Sequence, residues 1–160
     1  MTYIDPTAIF GLSVIIEDNV YIGPYCIIGM PPEWKGREED DLGVIIRSGT
    51  RITGHVTIDS GAVRPTEIGK DCYLMKHSHV GHDCIIGNGV TLSCGAKVGG
   101  HTIIGNGTNV GLNAVIHQRQ IIAENCMIGM GAVITKNLLT MPGMKYVGNP
   151  ARLLGENIKK

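Results

Sequence analysis

The sequence has few aromatic residues, no net charge and no long apolar run, and each shortage closes off a class of protein. Phe, Trp and Tyr make up 4% of 160 residues, with one Trp and one Phe, so the core has to come from aliphatic side chains. Lys plus Arg and Asp plus Glu number 14 each. With no basic patch along the chain, nothing points to a nucleic-acid partner. No apolar stretch approaches the ~20 residues that cross a bilayer, and no basic segment leads into an apolar run at the start, so neither a membrane span nor a signal peptide is expected. Five cysteines is an odd number and argues against a disulfide framework. Reduced thiols in a cytoplasmic protein are the expectation.

What is present is a repeat. Counting in sixes from Ile68 gives Leu74, Val80, Ile86, Leu92, Val98, Ile104, Val110, Ile116, Ile122, Ile128 and Ile134 without a miss. Two residues before most of these stands a small side chain, as at Cys72, Ser78, Cys84, Ala96, Thr102, Ala114, Cys126 and Ala132, and glycine most often follows. Six is a multiple of the strand period of two, so the aliphatic and the small residue share one face of a short strand. Gly and Asn supply the corner. Three such sides close a triangular coil, successive coils stack ~4.8 Å apart as parallel strands, and the chain reads as an all-β parallel β-helix in one domain. Cys26, Cys72, Cys84 and Cys126 fall at the small inward position, as core residues rather than disulfide partners or metal ligands.

The period already runs through Ile4, Phe10, Ile16, Ile22 and Ile28, then breaks at residues 30–43, MPPEWKGREEDDLG. This reads as a loop thrown out from the stack, of the kind that carries binding residues on a rigid scaffold. Its acidic run, Glu38 to Asp41, reads as a solvated face, and Trp34 as a cover on the side of the stack. Ile46, Ile52 and Ile58 resume the count, and a second insertion at 59–67 resets its phase. The β-helix is assigned to residues 1–141 and a terminal cap to 142–160, where Pro142, Gly143 and Pro150 stop the repeat. A short helix is expected from Pro150 onward, with Lys159 and Lys160 near its carboxyl end.

A coil of eighteen residues stacks positions that differ by eighteen. His79, His82, His101 and His117 then gather at one edge of the prism, with Gly100 and Gln118 above His82, and Asp83 below His101 and Arg119. A neutral imidazole beside an acid suits general-base catalysis, although neighbouring side chains on a strand normally diverge. His55 and His77 fall outside the cluster. No serine or cysteine nucleophile is convincingly placed beside His82; Cys94 is the nearest, and direct attack by the acceptor on a thioester is the more economical chemistry.

The segments CYLMKHSHVGHDCIIGNGVTL, GGHTIIG and VIHQRQIIAENCMIGMGAVI resemble the UDP-N-acetylglucosamine acyltransferases of the lipid A pathway, from about Gly23 to Ile134. The resemblance implies a left-handed coil, a homotrimer with the site between neighbouring prisms, and transfer of a 3-hydroxyacyl group from acyl carrier protein to the sugar 3-hydroxyl of UDP-N-acetylglucosamine, with no bound cofactor or metal. By motif, His82 is then the general base, Asp83 its acidic neighbour and Gly100 the backbone donor to the thioester carbonyl. His79, His101, His117 and Gln118 would contact substrate, Lys35 would lie near the acceptor phosphates, and Met130 would limit acyl length. The ending KNLLTMPGMKYVGNPAR instead resembles short acetyl-CoA-dependent sugar acetyltransferases, which places Asn149 and Arg152 at the donor. The donor is therefore acyl carrier protein or CoA.

Two other classes compete. A γ-type carbonic anhydrase shares the fold and His77 and His82 have its spacing, but the third histidine about 36 residues earlier is missing, with Asp41 at that position. A non-catalytic β-helix scaffold would have no use for the histidine and glycine constellation.

Overall fold

The computed structural model describes residues 1–158. Its strands are two to five residues long and fall into three sheets of nine, seven and six strands; up to Ile134 all pairing is parallel and each sheet takes every third strand of the chain. Register advances by eighteen: Tyr73 pairs with Thr91, Thr91 with Asn109 and Asn109 with Met127 in the nine-stranded sheet. The seven-stranded sheet runs His79, Lys97, Val115 and Val133, and the six-stranded sheet Ile85, Ile103 and Ile121. No strand is long enough to be stable alone, so the stack rests on contacts between adjacent coils.

The aliphatic residue of every repeat points inward. From Ile22 through Ile134 these side chains are at most 1% exposed, forming the single column that the spacing predicts. The small inward residues fill the corners and satisfy the backbone there. Thr50 Oγ1 donates to the Gly69 carbonyl at 2.7 Å, Thr108 Oγ1 to Ala123 at 2.9 Å, and Cys84 Sγ to Gly99 at 3.2 Å. The four inward cysteines are buried and unpaired, and burial pushes the Cys84 thiol up to about 12.

The C-terminal end departs from expectation. Instead of a helix from Pro150, Met144–Val147 adds a further parallel rung beside Met127–Ile128, and Arg152–Glu156 folds back antiparallel on it. The open end of a coil stack presents unpaired strand groups; another strand saturates these directly, whereas a helix would leave them bare. Tyr146, 1% exposed, closes the core column, and its hydroxyl accepts from the Met141 N–H at 2.7 Å. Lys159 and Lys160 lie outside the described residues.

Two corners of the prism carry the sequence-chosen side chains. The corner from the seven- to the six-stranded sheet holds residues 81–84, and we call it the His82 edge. The corner from the nine- to the seven-stranded sheet holds residues 75–78 and, three coils on, 129–132, and we call it the Met130 edge.

Candidate active site

His82 and Asp83 sit in the turn between two strands, where the chain bends and neighbouring side chains can converge. Asp83 has φ 61°, a left-handed conformation that non-glycine residues adopt at a cost. That bend resolves the geometric objection read from the sequence: His82 Nδ1 lies 2.6 Å from Asp83 Oδ2. The second carboxylate oxygen is gripped by the 59–67 insertion. Oδ1 accepts from the backbone N–H groups of Ala62 at 3.0 Å, Val63 at 2.7 Å and Arg64 at 2.9 Å, while Arg64 Nε donates to the Asp83 carbonyl at 2.8 Å. Burial alone would raise the Asp83 pKa, but the hydrogen bonds from His82 and from the Arg64 and Val63 amides outweigh it and hold the group below the usual carboxylate range. Asp83, 0% exposed, is therefore an ionised carboxylate in the protein interior. With Asp83 ionised, His82 donates its Nδ1 proton and keeps Nε2 as an acceptor.

Above His82 stands Gly100. A Cβ there would meet His82 Nε2 at 2.7 Å, so only glycine leaves the imidazole its place. His101 completes the group. Its ring stands edge-on to His82 with centroids 4.9 Å apart, and its Nε2 lies 3.7 Å from Asp83 Oδ2, buried and without a hydrogen bond. Desolvation lowers the His101 pKa, helped by the nearby Arg119 and His82 charges and opposed by Asp83. His82, Asp83 and His101 offer three ligand atoms within 4.8 Å of one another, although the Asp83 oxygen that faces His101 is the one already bonded to His82.

The 30–43 loop folds over this edge. Trp34 stacks on His82 at 5.2 Å with an interplanar angle of 23° and meets His101 edge-on at 5.3 Å, and the Arg37 guanidinium lies over the Trp34 ring at 5.2 Å. The single Trp thus covers the histidine pair rather than a blank side of the stack, a placement that the loop's position in the sequence does not reveal. The acidic run divides: Asp40 pairs with Arg37 at 2.9 Å, and Asp41 accepts from Ser60 Oγ at 2.5 Å, tying the loop back to the coil. Lys35 is exposed on the same loop.

His79 belongs to a neighbouring cavity of about 300 Å³ whose wall includes Met30, Glu33, Thr57 and Asp59. Its Nδ1 bonds Thr57 Oγ1 at 2.8 Å, and its Nε2 stands 3.8 Å from Asp59 Oδ2. Burial, with the Glu33 charge, raises the Asp59 pKa to about 6. Sequence periodicity alone left Asp59 and Glu33 unmarked. Beyond Trp34, a cleft of about 160 Å³ reaches His82, His101, Gln118 and Arg119, and shares Gln118 and Arg119 with a cavity of about 480 Å³ beside His117. Among the sequence-chosen residues the structure therefore joins His82, Asp83, Gly100 and His101, sets His79 to one side, and leaves His117 and Gln118 exposed further along the same edge.

Met130, Asn149 and Arg152 lie elsewhere. Gly131, next to Met130, donates to the Leu112 carbonyl at 2.8 Å, and Asn113 to Cys94 at 3.0 Å, which places Met130 in the column of the Met130 edge. It is 75% exposed. Asn149 follows one rung on, where Val133 N–H donates to the Gly148 carbonyl at 3.0 Å, and Arg152 opens the last strand. Within one chain the seven-stranded sheet separates these three from His82.

Two family models match, one for the bacterial transferase hexapeptide (six repeats) over residues 65–100 and one for the hexapeptide repeat of succinyl-transferase over 101–136. The acyl-[acyl-carrier-protein]–UDP-N-acetylglucosamine O-acyltransferase of Campylobacter concisus is 39% identical over 82 residues, covering 49% of this chain and 31% of its own. Over that stretch the chain is similar to the UDP-N-acetylglucosamine acyltransferases. The like-named protein of Paraburkholderia phymatum is 32% identical over 137 residues, 61% of this chain and 52% of its own; the chain spans half or less of most curated relatives it matches. In structure, the UDP-N-acetylglucosamine acyltransferase of Bacteroides fragilis superposes with a TM-score of 0.92 at 26% identity, over 98% of this chain and 61% of that one. A superposition of that quality requires the same hand of coiling, so this relative winds as those enzymes do.

Proposed function

We propose that this protein transfers an acyl group from a thioester to the sugar hydroxyl of UDP-N-acetylglucosamine or a related nucleotide-linked amino sugar. The observation that carries the reading is the Asp83 carboxylate, fixed by three backbone amides on one oxygen and bonded to His82 Nδ1 at 2.6 Å on the other. This is the arrangement a general base needs: one tautomer, one ring orientation, and a partner that stabilises the imidazolium when it forms. The names of the relatives supply the substrates.

In the reaction, His82 Nε2 takes the proton of the acceptor hydroxyl as its oxygen attacks the thioester carbonyl. The Gly100 N–H stabilises the oxyanion of the tetrahedral intermediate. As the C–S bond breaks, the imidazolium returns its proton to the leaving thiolate, giving an ester and a free thiol. His82 is neutral again at the end. The buried Cys84 thiol, held near 12, is no nucleophile. Acyl carrier protein and CoA both present such a thioester; Met130 and the Gly148–Ala151 turn favour a short acyl chain and leave CoA as the alternative donor. Lys35, His79, His101, His117 and Gln118 are assigned to substrate contact, and Asn149 and Arg152 to the donor.

A homotrimer completes the site. The outward face of the six-stranded sheet carries Ile15, Ile45, Ile85, Ile103 and Ile121 in line, interrupted by Glu67, an apolar stripe of the kind that subunits cover. A three-fold ring brings the Met130 edge of one chain to the His82 edge of the next and closes a heterologous contact. Sedimentation of a 17.1 kDa monomer would remove this part. Among the described residues no helix is long and apolar enough to cross a membrane, and the free buried thiols suit a reducing compartment such as the cytoplasm.

The test compares acetyl-CoA with short and long 3-hydroxyacyl carrier-protein thioesters, using UDP-N-acetylglucosamine and UDP-linked amino sugars as acceptors. Turnover that needs carrier protein and vanishes in His82→Ala is the expected result. Turnover with acetyl-CoA on an amino sugar would make the protein a sugar N- or O-acetyltransferase using the same base. No turnover with any pair would defeat the reading.

A further inference from the structure

The cavity of about 480 Å³ at the far end of the His82 cleft has no role in the proton transfer at His82. Its wall is His117, Gln118, Arg119, Gln120, Lys136 and Asn137. Two of these are cations and none is acidic, and among the described residues neither Arg119 nor Lys136 forms a salt bridge. Arg119 has φ 62° and its N–H donates to the Gly100 carbonyl at 2.9 Å. It stacks in the corner column Asp83, His101, Arg119, Asn137, and lines both this cavity and the small cleft over His82. Lys136 stands one coil above Gln118, so the two cations lie on adjacent rungs, ~4.8 Å apart along the stack.

The rest of the wall is built rather than merely exposed. Gln120, 5% exposed, donates through Nε2 to the Gln118 carbonyl at 3.2 Å. His117 Nδ1 lies 2.9 Å from the same carbonyl, so its proton is held there. Two unpaired cations one rung apart, beside amide and imidazole groups and open to the reacting edge, fit a phosphate anion, with the planar guanidinium offering two parallel donors and the ammonium a point charge.

We propose that Arg119 and Lys136 form a phosphate-binding subsite at the far end of the His82 cleft, which holds a phosphate ester of one of the two substrates. Both carry one: the acceptor a nucleoside diphosphate, the donor the phosphate of a phosphopantetheine arm. The proposal rests on the acyl-transfer reading for which substrate is bound, but the binding itself can be measured without turnover.

The experiment is calorimetric titration of the full chain with UDP and, separately, with 4′-phosphopantetheine, followed by steady-state kinetics. In the double variant Arg119→Met, Lys136→Met, affinity for one of the two compounds should fall by roughly tenfold or more, as expected when charged hydrogen bonds are lost. KM for the matching substrate should rise by a similar factor, with kcat within about threefold, because the interaction is equal in ground and transition states. Arg119→Lys keeps the charge and should recover part of the loss. A fall confined to UDP assigns the subsite to the acceptor, and one confined to 4′-phosphopantetheine assigns it to the donor. Unchanged affinity for both in the double variant overturns the subsite even if the wild type transfers acyl groups. Affinity lost in the double variant of a protein that transfers none keeps the subsite and defeats the acyl-transfer reading instead.

Discussion

Both edges of the seven-stranded sheet hold histidines in left-handed corner positions, and only one edge pairs a histidine with a buried carboxylate. On the Met130 edge, His55 at φ 50° and His77 at φ 61° stack on each other at 5.0 Å and His55 also on Tyr25 at 5.1 Å, all three exposed to solvent. Among the described residues neither ring makes a hydrogen bond; the ties are to the backbone, His55 N–H to the Pro24 carbonyl at 2.9 Å and Lys97 Nζ to the His77 carbonyl. On the His82 edge, His101 has the same corner conformation, φ 59°. There, however, the two insertions have intervened: residues 59–67 grip Asp83 from below, and Trp34 of the 30–43 loop closes over the rings. The coil supplies positions to both edges equally, and the interruptions of the coil turn one set into a covered histidine–carboxylate pair.

The largest expected effect tests that contrast directly. His82→Ala should lower kcat by about 10²–10⁴-fold, the range for a lost general base, whereas His77→Ala should stay within about threefold, as surface substitutions do. Equal losses in parallel assays would end the distinction between the edges.

Next is the grip on Asp83. Asp83→Asn keeps the size of the side chain but removes its charge and turns an NH2 group toward either the amides or His82. Turnover should fall by about 10²-fold or more as His82 loses its fixed tautomer. Stability should fall by about 1–3 kcal/mol for the buried groups left unsatisfied, read from urea midpoints. The pH dependence has a definite sign. The folded pKa of Asp83 is lowered, so its stabilisation is present above the ordinary carboxylate range and is lost as pH falls through the folded value. A wild-type midpoint flat down to the acid limb of Asp83→Asn would contradict this.

How much of this was legible in the chain depends on which residue one asks about. Ile68 to Ile134 declares the core because only an inward column needs aliphatic side chains at every sixth place. Division by eighteen put Gly100 above His82 and Asp83 below His101, and the structure has both. Trp34 over His82 was not legible, since a loop that leaves the repeat carries no register. Nor was the grip on Asp83, because it is made by the backbone amides of Ala62, Val63 and Arg64, and side-chain identity says little about where an N–H points. The strand at Arg152–Glu156 was misread as helix for a related reason: what decided it was the unpaired rung at Met127–Ile128, a tertiary demand that local sequence does not display.

The His82 edge also costs stability where the Met130 edge does not. Asp59 is buried in the cavity beside His79 with Oδ2 unsatisfied, and its pKa is raised to about 6. The unfolded chain ionises this group near ~4, so stability declines as pH rises from there to about 6 and then levels. Asp59→Asn removes the penalty. It should match wild type near pH 4 and exceed it at pH 8 by up to ~3 kcal/mol, two pKa units at 1.36 kcal/mol each, measured by denaturant unfolding at both values. A destabilised variant at pH 8 would mean that the Asp59 carboxylate has a partner the monomer does not display.

The smallest effect bears on whether the two edges meet at all. Met130 projects from its corner 75% exposed, far too open to shape a ligand within a single chain, and His82 lies across the sheet. If a second subunit brings Met130 to the cleft, Met130→Gly should open a path for longer acyl chains and shift the ratio of kcat/KM for long over short donors by about tenfold, the scale of a few methylenes gained or lost in an apolar pocket. The trimer should persist and kcat with the short donor should hardly move, because the substitution touches neither His82 nor Asp83. A ratio unchanged in an intact trimer would leave the Met130 edge facing solvent in the assembly, and would require the acyl chain to run along the His82 edge of its own subunit.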